Sequence, residues 1–181
     1  MASSIATVLS EIIGAIFPPN EPLTKHNARQ FEPSKEICEK DEILIAMLNS
    51  ESHEHVPYCV CDPDKMDMPI IFSSDGFCEF TGYTHHEIEG RNCRFLQGEG
   101  TQQAQVDKIR KAIKDQVSTC VNLLNYRKDG SSFVNEFFLS PLRDSNNKVI
   151  YFIGVQCPVD KLGPGQMPSN VGWVYTQGSH E

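Results

Sequence analysis

The chain has 181 residues, 39% hydrophobic and 22% charged, a mixture that suits one globular domain with extensions and excludes a wholly disordered chain. Sixteen Lys and Arg stand against 24 Asp and Glu, and the net charge of -8, with no basic cluster, argues against a nucleic-acid surface. No apolar run approaches the roughly 18 residues of a membrane span. The N-terminus lacks a basic region and Glu11 interrupts its apolar stretch, so no signal peptide is expected. Seven cysteines, an odd number in a chain large enough to fold on its own core, point to reduced thiols and an intracellular protein, cytoplasmic or nuclear.

Ile5, Val8, Leu9, Ile12 and Ile16 recur at helical spacing, which predicts an amphipathic helix over 4–17, started by Ser3 or Ser4 and ended by the Pro-rich run from Pro18 to Pro22. Residues 23–33 read as an extended tether. A second helix is predicted over 35–48, with Ser34 as N-cap and Ile37, Leu44 and Leu48 on one face, so that residues 1–55 form an N-terminal helical extension. Short strands are predicted at 58–61 and 69–73, followed by helical turns between 75 and 97. Thr84 and Glu87 fit a capping box, and the consecutive His85 and His86 are expected to diverge and face solvent. A helix over 102–115 sets Val106, Ile109 and Ile113 on one face. Three strands follow at 117–127, 133–142 and 149–156, joined by the turns Lys128-Asp129-Gly130 and Asp144-Ser145-Asn146-Asn147. The tail, 159–181, is rich in Gly and Pro and reads as irregular. This order predicts an α+β domain over 56–158: a five-stranded antiparallel sheet with short helices on one face.

The run Gly90-Arg91-Asn92-Cys93-Arg94-Phe95-Leu96-Gln97 sets a thiol between polar and charged side chains, then apolar residues, then an amide. It suits a segment wrapped around a ligand that is polar at one end and aromatic at the other. Strand alternation puts Val121, Leu123 and Asn125 on one face, and likewise Asn135, Phe137 and Leu139, and Phe152, Gly154 and Gln156. Each strand thus carries one carboxamide among apolar neighbours. A buried amide without partners costs about 1–3 kcal/mol. Either the amides pair with each other or with backbone, or they read the edge of a flat heteroaromatic ring; three together favour the ring. Arg94 and Arg110 are ordinary surface charges alone, but together can hold a terminal phosphate. Gly154 lets a ring approach the backbone. His53 and His55 with Cys59 and Cys61 depart from zinc-knuckle spacing and lack a second ligand cluster, so no metal is expected.

The octapeptide resembles the signature of LOV domains, the flavin-binding blue-light branch of the PAS family. The resemblance spans the domain from Val56 to Pro158, includes the stretches 108–113 and 151–156, and sets Arg110, Asn125, Asn135 and Gln156 at the family's spacings from Cys93. It implies a flavin held noncovalently in the dark by Asn92, Arg94, Leu96, Gln97, Arg110, Ile113, Asn125, Asn135, Phe137, Phe152 and Gln156, with Cys59 and Cys61 facing it from the first strand. It further implies that blue light drives a reversible bond between the Cys93 sulfur and flavin carbon C4a, while N5 gains a proton. Gln156 is then the amide that turns over as N5 changes from acceptor to donor.

Two features depart from the family. Cys59 and Cys61 stand where aliphatic or Thr residues are common, although some fungal members carry Cys at the Cys61 position. The loop 97–101 is short, where some fungal relatives carry an insertion that makes room for FAD, so FMN is expected before FAD. No enzymatic activity is expected, because no nicotinamide site or acid–base pair stands out and the extensions are too short for a kinase or transcription-factor domain. The signal is expected to leave through N-terminal helices packed on the sheet or across a homodimer, towards an unidentified protein partner. The alternative in another class is a flavin-based redox sensor without a photocycle.

Overall fold

A computed structural model describes residues 29–158. The expected helix over 4–17, the start of the tether and the tail from 159 lie outside the described residues. The strands are β1 (Tyr58–Cys61), β2 (Ile70–Ser73), β3 (Thr119–Tyr126), β4 (Ser132–Arg143) and β5 (Val149–Pro158), in one antiparallel sheet of order β2-β1-β5-β4-β3. The helices are α1 (Glu39–Leu48), α2 (Asp75–Thr81), α3 (His85–Ile88) and α4 (Gln103–Asp115), with 3-10 turns at Glu51–His53 and Cys93–Leu96. This is the five-stranded antiparallel sheet with short helices that the order of predicted elements implied.

Alternation sorts the strands into two cores. On the inner face, Cys59, Cys61, Phe137, Leu139 and Phe152 pack with Phe77, Ile88, Leu96 and Val106 from the helical side. On the outer face, Tyr58, Val60, Ile153 and Val155 pack with Phe31, Ile37, Leu44 and Leu48 from the N-terminal segment. The register aligns Cys59 with Gly154, Gly154 with Leu139, Gln156 with Phe137, and Asn135 with Leu123. The inner face is therefore a grid of rows running across four strands.

The helix expected over 35–48 starts four residues later, at Glu39, with Cys38 at the N-cap and no side-chain cap. Ser34 does not cap it. Its hydroxyl meets the Tyr151 hydroxyl at 3.1 Å, and the Lys35 N–H donates to the same oxygen at 3.2 Å. Tyr151 is fully buried, and its phenol needs partners that sheet neighbours do not offer. The chain therefore bends at Ser34 and Lys35, and the helix begins only at Glu39. Lys35 Nζ donates to Asp62 Oδ1 at 2.6 Å, Asp64 Oδ2 at 3.0 Å and the Ile150 carbonyl at 3.1 Å, tying this segment to the turn after β1 and to β5.

His85, expected in solvent, closes a network instead. Its Nε2 meets Asp75 Oδ1 at 2.8 Å, and its Nδ1 meets Ser73 Oγ at 2.9 Å and Cys78 Sγ at 3.2 Å. Being first in α3, it points back at the start of α2 and the end of β2; His86 is exposed. The expected capping box is present: the Thr84 N–H donates to Glu87 Oε2 at 3.0 Å. Lys128 Nζ adds bonds of 2.7 and 2.9 Å to the same carboxylate, joining α3 to the β3–β4 turn. Lys128 first, then Thr84, pulls the Glu87 carboxyl down from 4.5 to about 2. A depressed carboxyl contributes stability that is complete above its unfolded value and is lost as pH falls through about 2. Glu87→Gln should therefore lower the thermal midpoint at pH 6 and lower it much less at pH 2, as thermal unfolding at the two pH values would read.

Candidate functional site

The octapeptide is sewn to an edge of the sheet. The Gly90 N–H donates to the Ile70 carbonyl and the Ile70 N–H to the Arg91 carbonyl, both at 2.8 Å. Asn92 caps the turn that carries Cys93, its Oδ1 accepting from the Arg94 N–H at 3.1 Å. Its Nδ2 reaches across to the Asp67 carbonyl at 2.7 Å. Asp67 also receives both arms of the Arg94 guanidinium, at 2.6 and 2.8 Å. Phe95 is wedged between the Tyr83 ring, 5.0 Å away, and the Arg91 guanidinium, 4.4 Å away. These contacts leave Leu96 buried in the inner core and Cys93 packed against it.

The Cys93 side chain keeps part of its surface open, yet packing strips most water from its sulfur. Burial first, then the neighbouring Cys59, pushes this thiol up to about 12, against the pull of Arg94. At neutral pH it is a protonated thiol, a proton source with little thiolate. Cys59 and Cys61 are both buried on the inner face of β1. A hydrogen bond with Cys59, followed by burial and by the two neighbouring thiols, raises Cys61 well above its ordinary value.

Asn125, Asn135 and Gln156 are 3%, 2% and 1% exposed, so the expected inward amides are all buried. Part of their demand is met locally. Asn135 Nδ2 donates to Asn125 Oδ1 at 2.9 Å, and Asn125 Nδ2 to the Leu124 carbonyl at 3.1 Å. Asn135 Oδ1 and Gln156 Oε1 find no donor. Leaving a buried acceptor unpaired costs about 1–3 kcal/mol, so these two oxygens call for an N–H from a bound group. Phe137 and Phe152 lie beside them in the inner core, and Ile113 packs against it from α4. Gly154 does allow a ring close to the backbone, and that ring is Phe137: a Cβ at Gly154 would come within 2.6 Å of its Cε2.

The two arginines are not drawn to one partner. Arg94 is engaged by Asp67, while Arg110 Nη1 binds Asp107 at 2.9 Å on its own helix. The loop after Gln97 is pinned to β3: the Gly98 N–H donates to Thr101 Oγ1 at 3.0 Å, and that hydroxyl donates to the Leu124 carbonyl at 2.6 Å. Gly98 lies under the Tyr126 ring, where a Cβ would come within 2.6 Å of a ring carbon. Gln97 itself is half-buried. The histidines of the weighed metal pattern turn elsewhere, His53 to Ser50 Oγ at 2.7 Å and His55 to Glu54 and Glu79 at 3.4 and 3.6 Å. A separate surface cleft of about 540 Å³, bordered by Cys38, Asp41, Ser118, Ser140 and Arg143, contains none of the expected site residues. Sequence reasoning missed Asp67. Nothing near it in the chain marks it as the partner of a residue 27 positions away.

The PAS-domain family profile matches residues 55–156. Phototropin-2 of Oryza sativa subsp. japonica is 52% identical over 108 residues, covering 60% of this chain and 12% of that protein. The Blue-light photoreceptor of Listeria innocua serovar 6a is 43% identical over 117 residues, covering 65% of this chain and 45% of that protein. The chain therefore spans less than half the length of either relative. The light-state structure of the blue-light photoreceptor Aureochrome1 LOV matches with a TM-score of 0.57 at 48% identity, covering 58% of this chain and 82% of that one.

Proposed function

Because the chain belongs to the PAS family and carries a LOV domain, we propose that it is a blue-light photoreceptor that binds FMN and responds through a reversible bond from Cys93. One observation carries the reading: Asn135 Oδ1 and Gln156 Oε1 are buried acceptors without donors, on the inner face against which Cys93 packs. A flavin ring has one imide N–H that Asn135 Oδ1 would accept, an N5 edge that the Gln156 amide would face and whose protonated form would donate to Gln156 Oε1, carbonyls for the amide N–H groups, and apolar faces for the surrounding side chains. The residues present fit it. Asn125, Asn135 and Gln156 would read the polar edge. Phe137, Phe152, Leu96, Ile113, Cys59 and Cys61 would cover the ring, Asn92 and Gln97 would contact it from the Cys93 segment, and Arg94 and Arg110 would meet the phosphate.

When bound, the flavin supplies absorption of blue light and an electrophilic C4a–N5 bond. Cys93 would supply both the sulfur for a reversible bond to C4a and the proton for N5, and thermal reversal would return both to the side chain. Packing holds the thiol at high effective concentration, and its raised pKa keeps the proton on sulfur and ambient thiol chemistry slow. Gln156 serves both states of N5 by turning its amide, accepting in one and donating in the other. The proposed output is altered packing of the N-terminal segment on the outer face, or of a homodimer through that surface, sensed by a protein partner. No built-in enzymatic output is proposed.

The test is an absorption spectrum in the dark and after blue light, with chromatography of the released chromophore. A yellow protein that bleaches, recovers thermally and releases FMN is expected. Predominant FAD would refute the part assigned to the short loop at Gly98. Flavin without bleaching would favour a redox sensor, and no flavin would overturn the reading.

A further inference from the structure

We propose that Asp67 sets selectivity between phosphate-bearing and phosphate-free flavins by competing with the ligand phosphate for Arg94. This rests on the flavin-binding reading above. Arg94 offers Asp67 one nitrogen per carboxylate oxygen, at 2.6 and 2.8 Å. That is the forked geometry in which a guanidinium also takes phosphate. The side chains are 59% and 53% exposed, so the pair can exchange for another anion with little rearrangement.

The backbone argues that the pairing is built rather than incidental. Asp67 has φ 66° and Met68 has φ 47°, two successive non-glycine residues in the left-handed region. Such residues adopt that region at a cost, which surrounding contacts must offset. Here the contacts come from both neighbours of the reactive cysteine: Asn92 Nδ2 holds the Asp67 carbonyl at 2.7 Å, and Arg94 holds its carboxylate. The turn thus aims a fixed negative charge at the cation that the phosphate needs. A phosphate arriving at Arg94 finds the guanidinium already engaged by Asp67 and must share or displace that carboxylate. A flavin that ends in a hydroxyl meets no such competition. Asp67 accordingly lowers the preference for FMN over riboflavin that Arg94 would otherwise confer.

The test strips flavin from the full chain and titrates it in the dark with FMN and with riboflavin, following flavin fluorescence. Asn suits position 67 because it keeps the side-chain shape and tolerates positive φ. Asp67→Asn is expected to tighten FMN by about fivefold, a scale typical of one exposed charge contact with a dianion, and to leave riboflavin unchanged. In an Arg94→Gln background the same substitution should change neither affinity. An equal change for both flavins, an unchanged or lower FMN preference, or an effect that survives Arg94→Gln would overturn the proposal. If the unaltered chain binds neither flavin, the flavin-binding reading fails and this inference fails with it.

Discussion

Cys93→Ala is expected to keep the bound flavin and to lose reversible bleaching completely. The substitution removes one sulfur from a turn whose position is set by other groups: Gly90 and Arg91 on β2, Asn92 on Asp67, and Phe95 between Tyr83 and Arg91. The lost burial is worth about 1 kcal/mol, so the fold and the ring contacts of β3, β4 and β5 should survive. Without the thiol no bond to the ring forms, and bright flavin fluorescence should persist under illumination. Absorption before and after blue light decides the matter. Bleaching with recovery in the variant would move the reactive sulfur to Cys59 or Cys61, which lie on the same inner face.

Gln156→Leu is expected to leave bond formation intact and to remove most of its structural consequence. The bond requires Cys93 and the ring, neither of which depends on this amide. The response of the sheet requires an amide that changes hydrogen-bond partners. Leu replaces a buried acceptor that has no donor with an apolar group of similar size, so the folded chain should not lose stability. Hydrogen exchange in residues 149–157 and 29–48, compared dark and lit, should change less than half as much as in the unaltered chain. An undiminished light-induced change would take Gln156 out of this role.

Much of the inner face was legible because alternation is a local property. Val121, Leu123 and Asn125 had to share a side, and the same period placed Asn135 and Gln156 opposite helices that carry their own apolar stripes. The capping box was legible for the same reason, since Thr84 and Glu87 are three residues apart. What escaped depends on partners far along the chain. Ser34 has the composition of an N-cap, but its hydroxyl belongs to Tyr151, 117 residues away. His85 reads as one of two surface histidines until Asp75 and Ser73 are brought beside it. Arg94 reads as a phosphate ligand, and only the folded turn at Asp67 reveals that it already holds an anion. The division of apolar residues into two cores was equally hidden, because strand periodicity separates faces without saying what covers the second one.

The position of β5 bears on how far any change must travel. It lies between β1 and β4, and the Gln156 N–H donates to the Pro57 carbonyl at 2.8 Å. Consecutive residues on it belong to opposite sides: Gln156 lines the inner core, while Val155 and Cys157 lie in the outer one, beneath the N-terminal segment. The two faces are thus separated by the thickness of a single peptide unit, which under the proposed function is all that lies between the chromophore and the output surface. A displacement at Gln156 reaches the outer face through covalent bonds, with no intervening chain of packed side chains to lose it. Because both edges of the strand are hydrogen-bonded, that displacement would be shared by two ladders, so the whole sheet would respond as a plate tilting about its middle strand.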